Sequence, residues 1–168
     1  MWWLATIPFI LQCVAIGIDE VYFHWKRGLP KWERIGHPLD TLSFLLCLAF
    51  ILNAPFSPLN LKIYIGLSIF SCLMVTKDEF VHKHHCPGAE NWLHAVLFIL
   101  HPITLLTAGL MWPLMQGVEA PIWMVKILDD SIAMHWFLAT QTLAIAAFAL
   151  YQFTFWNLVW KDYPVQKM

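Results

Sequence analysis

Apolar residues run along most of this 168-residue chain in stretches long enough to cross a lipid bilayer. Hydrophobic side chains make up 60% of the sequence and charged side chains only 12%, and the mean hydropathy is +0.62. A soluble domain of this size could not bury so much apolar surface and still present a wettable exterior. A helix of about 20 consecutive apolar residues spans a bilayer core. The sequence therefore predicts an all-α integral membrane protein.

Five transmembrane helices are predicted from these apolar runs. Their approximate bounds are Trp2–Phe23, His37–Asn53, Leu59–Thr76, Trp92–Met115 and Ile132–Trp160. The second and third runs are short for a bilayer core, so we expect either polar helix at their ends, with the third helix continuing to His85, or a membrane that thins locally. The first run has neither a basic flank before it nor a small-residue cleavage site after it. This favours a retained span over a signal peptide that is removed.

The basic residues predict the orientation of these helices, because loops on the cytoplasmic side are enriched in Lys and Arg. The segments that fall on one side of the predicted membrane carry Lys26, Arg27, Lys31, Arg34, Lys77, Lys83, Lys161 and Lys167. The segments on the other side carry only Lys62 and Lys126. We therefore expect a multi-pass protein with its amino terminus outside and its carboxyl terminus in the cytoplasm.

Seven of the eight histidines fall in two short stretches at predicted cytoplasmic helix ends. The first stretch has Asp19, Glu20 and His24, then Glu33 and His37; the second has Asp78, Glu79, His82, His84 and His85, then Glu90, His94 and His101. On an α-helix, residues three or four positions apart share a face, as Glu20 and His24 would. Ionisable residues in membrane spans are functional candidates, although single ones also anchor helix ends at the interface. His135, near the outer end of the fifth span, is expected to be structural.

The two stretches divide the chain into two similar halves. Each half has a span ending in Asp-Glu, a histidine shortly afterwards, a turn with Gly and Pro, and Glu-x-x-x-His opening the next span. The sequence therefore predicts one transmembrane domain over 1–168, made of two parallel helical-hairpin repeats (about 1–54 and 59–115) and an extra fifth helix (about 132–160). Such a duplication would join two ligand sets across a pseudo-two-fold axis, as in four-helix carboxylate proteins that hold two metals.

Imidazole and carboxylate together form the ligand set of iron, manganese and zinc sites. The predicted metal ligands are Glu20, His24, Glu33, His37, Asp78, Glu79, His82, His85, Glu90 and His94. Because these donors outnumber what one zinc ion needs, we expect two metal ions, with iron the first choice and manganese or zinc the alternatives. Asp40, His84 and His101 are left open between ligand, supporting and structural roles.

Two short motifs resemble those of known metalloproteins. The run His82-Lys83-His84-His85 resembles one of the histidine boxes of membrane desaturases and hydroxylases, and the Glu-x-x-His spacing of Glu79 and His82 is similar to that of soluble ferritin-type carboxylate proteins. The resemblance is one of ligand chemistry and extends no further along the chain. It implies an oxygen-activating metal centre.

The predicted function is oxygen-dependent oxidation of a lipid or other hydrophobic substrate at the cytoplasmic face. The sequence carries no flavin or nicotinamide signature, so such an oxidase would need an external electron donor. The net charge of −1 argues against a nucleic-acid partner, and a homo-oligomer remains open. Three alternatives stand beside this prediction. They are a metal-handling or transport protein, a b-type cytochrome and a single-zinc membrane hydrolase.

Overall fold

The structure is a computed structural model that describes residues 1–77 and 86–160; these ranges are helical apart from short connections and contain no strand. The helices are α1 (Trp2–Arg27), α2 (Lys31–Asn53), α3 (Pro58–Thr76), α4 (Gly88–Met115), α5 (Ile122–Ile127) and α6 (Ser131–Val159). All of them except the short α5 are long and apolar enough to cross a membrane. For the described residues, the prediction of an all-helical protein is confirmed, as is that of five helices long and apolar enough to span a membrane.

Polar residues define several of the helix ends. The Ser57 hydroxyl caps α3 by accepting a hydrogen bond from the Asn60 backbone N–H at 3.2 Å, and the Asp130 carboxylate caps α6 by accepting one from the Ala133 N–H at 2.9 Å. Both side chains satisfy backbone donors that have no partner within the helix. Gly28 turns the chain between α1 and α2 with a φ of 72°, a conformation that favours glycine.

Helices α2 and α4 begin earlier than their apolar residues predict, at Lys31 and at Gly88. The polar residues ahead of each apolar run are thus helical, as expected for spans whose apolar stretches are short. As a consequence, Glu33 lies in the first turn of α2 and Glu90 in the first turn of α4. Both carboxylates are held by rigid helix instead of by a loop.

The distribution of polar residues is the reverse of that in a soluble bundle. Large apolar side chains such as Leu73, Ile99 and Leu143 point outward, where they suit a lipid environment. The buried polar residues are Thr6, Gln12, Asp19, Glu20, His24, Glu33, Ser43, Ser71, Glu90, His94, His101, Thr104 and Gln152. Most of them lie on α1, α2 and α4, so the polar interior belongs to these three helices.

Helix α1 packs against α4, while α2 packs against α3 and α6. A pseudo-two-fold axis relating two hairpins would make the α1–α4 and α3–α2 contacts equivalent, so this packing is compatible with the predicted duplication. The two repeats and their bounds remain a prediction. The three-residue turn after α1 brings the end of that helix beside the start of α2. The start of α4 joins them there, and the three helix ends surround one buried polar centre.

Candidate metal centre

Six of the ten predicted ligands meet in this buried centre. They are Glu20 and His24 from α1, Glu33 and His37 from α2, and Glu90 and His94 from α4. Both Glu33 and Glu90 have no exposed surface at all. The other four predicted ligands, Asp78, Glu79, His82 and His85, lie outside the described residues, as does His84.

A seventh residue, Asp19, joins the centre because the segment Asp19–His24 is a π-helix. On an α-helix, with about 100° of rotation per residue, Asp19 and His24 would point to different faces. A π-turn bonds residue i to i+5 and so brings residues five apart into register. The Asp19 Oδ2 atom lies 3.2 Å from His24 Nε2. The sequence prediction assumed α-helical spacing and therefore did not include Asp19 among the ligands.

Four side chains direct their donor atoms to a common point. One ligand atom from each of Asp19, His24, Glu90 and His94 lies within 4.8 Å of the other three. The Asp19 carboxylate contacts both imidazoles, with Oδ1 at 3.2 Å from His94 Nε2, and Glu90 Oε1 lies 3.6 Å from His24 Nε2. We refer to these four residues as the first group. Two imidazoles and two carboxylates around one point form a ligand set that a transition-metal ion can occupy.

The hydrogen bond between Glu20 and His24 leaves one nitrogen of the imidazole available for a metal. Glu20 Oε2 lies 3.2 Å from His24 Nδ1, and an ionised carboxylate can only accept, so Nδ1 carries the proton. Nε2 then has a lone pair directed at the first group. Within 1–77 and 86–160 this buried nitrogen has no hydrogen-bond partner. A histidine oriented by a carboxylate through its other nitrogen is a recurring arrangement in metal sites.

Glu20 itself faces away from the point where the donors converge. Its Oε1 atom accepts hydrogen bonds from Trp156 Nε1 at 2.7 Å and from the Tyr151 hydroxyl at 2.8 Å, and Trp25 Nε1 in turn donates to that hydroxyl at 2.8 Å. These contacts favour Glu20 as the residue that orients His24, where the sequence predicted a direct ligand. The sequence offered no signal for the bond from Trp156 to Glu20.

A second group shares His24 with the first. It comprises His24, Glu33 and His37, whose donor atoms also lie within 4.8 Å of one another. The rings of His24 and His37 are 4.9 Å apart between centroids, and His37 Nε2 is 3.9 Å from Glu33 Oε2. Since His24 has only one nitrogen free of Glu20, it can serve an ion in one group at a time.

Arg27 links the two groups. Its Nη2 atom donates to Glu90 Oε1 at 2.6 Å and to Glu33 Oε2 at 2.9 Å. A guanidinium stays charged at any physiological pH, so it offsets part of the negative charge that the carboxylates bring into the interior. The sequence prediction used Arg27 only to orient the helices, because nothing in the spacing shows that it turns inward.

A cavity of about 130 Å³ opens directly onto this centre. Asp19, His24 and His94 form one end of its wall, and the remaining wall is mainly apolar. Its apolar lining consists of Phe9, Ile16, Phe44, Val75, Leu97, Phe98, Ile145 and Phe148. The cavity therefore offers an apolar chain a place beside the polar group.

Three further polar residues lie outside both groups. Asp40 accepts a hydrogen bond from the Lys77 ammonium at 2.6 Å. His101 lies deeper between the helices and contacts Gln12 and Ser71, while His135 stacks edge-on against Trp136 on α6. None of these three residues is among the described residues whose donor atoms converge.

Cys86 lies in the bend just before α4 and is half-buried. Burial raises the pKa of its thiol to about 12, with the nearby Glu90 carboxylate adding to the effect and the Arg27 guanidinium opposing it. Among the described residues, Cys86 does not belong to either group of converging donor atoms.

Comparison with protein-family models, with characterised proteins and with solved structures finds no match for this chain.

Proposed function

We propose that this protein is an integral membrane oxidoreductase that binds iron at its buried His/carboxylate centre and uses molecular oxygen to oxidise a hydrophobic, lipid-like substrate. The observation that carries the proposal is that three residues of the first group also line the apolar cavity. They are Asp19, His24 and His94. An apolar chain in that cavity would lie against the metal. The orientation predicted from the basic residues puts the centre at the cytoplasmic face.

The first group suits a redox-active divalent metal. Mixed imidazole and carboxylate ligands favour iron, manganese or zinc, and only the first two support oxidation by oxygen. Glu20 orients the His24 ring so that its Nε2 atom faces the first group. Asp19, His24, Glu90 and His94 would hold the ion, which would supply the oxygen-activating redox chemistry.

The proposal includes a second iron, as the sequence predicts. Once His24 serves the first group, Glu33 and His37 are the described donors left for another ion. The remaining ligands would come from Asp78, Glu79, His82 and His85, which stay a prediction from the sequence. Arg27 already bridges Glu33 and Glu90 in this region and offsets part of their negative charge. The number of bound ions would show how much of the remaining negative charge is balanced by metal.

The proposed reaction inserts one oxygen atom into a carbon–hydrogen bond of the substrate and releases the other as water. It consumes two electrons and two protons in addition to O2. The electrons have to come from an external donor, because the chain shows no binding motif for a flavin or nicotinamide. The apolar cavity wall keeps bulk water from the reacting carbon.

Transport is a weaker alternative because of what lies beyond the cavity. The core between the helices toward the other end of the bundle contains Leu105, Ala108, Met111, Trp112, Met134 and Leu138, each with at most 1% of its surface exposed. Packed apolar side chains of this kind offer little to replace the hydration shell of an ion. The route from the centre toward that end of the bundle is thus filled mainly by apolar side chains.

Elemental analysis of the purified protein tests the proposal, together with oxygen uptake on a mixture of membrane lipids and a chemical reductant. We expect one to two iron atoms per chain, no Soret band, and lipid products heavier by one oxygen atom. His94→Ala and Glu90→Gln should lose iron and oxygen uptake, whereas the matched variant His135→Ala should keep both. A Soret band would identify a cytochrome and a single zinc ion a hydrolase. Equal iron in all variants would exclude the centre described here.

A further inference from the structure

A second polar contact joins α1 and α4 below the metal centre. Asp19 meets His94 at 3.2 Å, and seven residues further into the membrane on each helix Gln12 Nε2 meets His101 Nδ1 at 3.1 Å. Seven residues of α-helix correspond to about 10 Å. Gln12 and His101 are each only 4% exposed. The two contacts thus join the same pair of helices at two different depths.

His101 is fully engaged by its neighbours. Besides the contact of its Nδ1 atom with Gln12, its Nε2 atom lies 2.9 Å from the Ser71 hydroxyl of α3, and that hydroxyl lies 2.9 Å from the Ser43 hydroxyl of α2. These bonds tie the imidazole to three other helices. His101 is therefore a support that holds the Gln12 amide in place.

The Gln12 amide keeps one polar atom without a partner. Its Oε1 atom is buried and has no hydrogen bond to any residue within 1–77 or 86–160. If the amide is turned over, the oxygen accepts from His101 and the nitrogen is left instead, so one of the two atoms is free in either orientation. A buried polar atom without a hydrogen bond is costly in an apolar interior, which makes it a site for an incoming polar group.

Gln12 itself is part of the wall of the cavity that opens onto the metal centre. The lining includes Gln12 and His101, which lie seven residues deeper than Asp19 and His94, together with apolar residues such as Ile16 and Phe98. A ligand that fills the cavity thus has hydrogen-bonding residues at both depths and a mainly apolar surface around it. A purely hydrocarbon chain would leave the amide unsatisfied.

We infer that Gln12 binds the hydroxyl group of the substrate, and that the substrate class is an amphiphilic alcohol whose hydroxyl lies about 10 Å from the carbon presented to the metal. A hydroxyl both donates and accepts, so it satisfies the amide in either orientation. A charged group is disfavoured because the cavity offers no opposite charge at its deep end. This inference deepens the proposed function, but the binding of the alcohol does not itself require the metal.

The test is equilibrium binding of dodecanol and of tridecane, in which a methyl group replaces the hydroxyl, to the full chain in lipid nanodiscs. One hydrogen bond in a buried site corresponds to a preference of about fivefold to tenfold. The wild-type protein should therefore bind the alcohol about fivefold more tightly than the alkane, once both are corrected for their partitioning into the lipid. Gln12→Met, which keeps the length of the side chain and removes the amide, should abolish this preference. Gln116→Met, at an exposed glutamine outside the cavity, should retain it.

Two further measurements keep the outcomes separate. Glu90→Gln, at a residue of the first group that does not line the cavity, should lose iron and still prefer the alcohol, so the two proposals can fail separately. If Gln12→Met does not fold, Gln12→Leu replaces it, and the wild-type comparison stands by itself. Equal binding of alcohol and alkane to the wild type overturns the inference. So does a preference that survives the loss of the Gln12 amide.

Discussion

The hydrogen bonds of single side chains decide which atoms of the centre are available. His24 donates from Nδ1 to Glu20, and this fixes Nε2 as the atom that faces Asp19 and Glu90. Glu20 is in turn held by Tyr151 and Trp156. Each atom is thereby assigned a role before any metal binds, which lowers the cost of organising the ligands.

Glu20→Gln tests the orienting role of this carboxylate. The amide is neutral, and its nitrogen cannot accept from the Tyr151 and Trp156 donors if its oxygen accepts from His24. We expect metal affinity to fall by about 10-fold to 100-fold, the effect typical of losing such a supporting partner. Competition with a chelator of known affinity measures this. Glu119→Gln, at an exposed carboxylate, should not change the affinity, and an unchanged affinity in Glu20→Gln would rule out the orienting role.

Arg27→Gln should destabilise the protein, because it leaves Glu33 and Glu90 buried without their shared cation. Breaking a buried ion pair costs about 3 kcal/mol at the lower end of the usual range, appropriate here because the Arg27 side chain is 17% exposed. Thermal unfolding in detergent measures the loss, with Lys126→Gln as the control. Added metal should recover part of the stability by binding the same carboxylates. A variant as stable as the control would show that the two carboxylates do not depend on Arg27.

At the scale of the helix, one residue inserted into α1 determines which of its side chains face the centre. The sequence places four residues between Asp19 and His24 but only three between Asp78 and His82. The π-helical segment Asp19–His24 absorbs the additional residue, since a π-turn is an α-turn with one residue inserted. The side chains before and after the inserted residue therefore point in the same directions as they would on an uninterrupted α-helix.

Deletion of Val21 tests this account of the π-segment. Val21 is exposed, and its removal should convert the π-turn to an α-turn with Asp19 and His24 four apart and still on one face. We expect metal content close to that of the wild type. Deletion of Val14, an exposed residue in the regular part of α1, rotates everything beyond it by about 100° and should abolish metal binding. Metal loss in the Val21 deletion would contradict the insertion model.

At the scale of the whole molecule, the helices place all the described metal donors at one end of the bundle and an apolar core at the other. The ends of α1, α2 and α4 meet at the centre, while Trp112 and its neighbours close the opposite half. Lys26, Arg27 and Lys31 lie at the same end as the donors. If loops with more basic residues face the cytoplasm, the centre faces it too.

Cysteine labelling in intact cells checks this orientation. A membrane-impermeant thiol reagent should reach Glu119→Cys, in the connection between α4 and α5, from outside. Lys31→Cys, at the start of α2, should react only after the membrane is permeabilised. The wild-type chain provides the background from the four natural cysteines. The reverse pattern would place the centre on the outer face and exclude a cytoplasmic electron donor.

The sequence alone determined the five helices and most of the described residues whose donor atoms converge, because both depend on short-range periodicity. Apolar runs set the spans, and the Glu-x-x-x-His pattern of Glu33 with His37 and Glu90 with His94 follows from one helical turn. Only the tertiary structure decided that Asp19 joins the ligands, that Arg27 turns inward, and that Gln12 meets His101. Asp19 depends on a π-turn and the other two on how separate helices are rotated against each other. Contacts between helices are set by packing across the whole bundle, which spacing along a single chain does not encode.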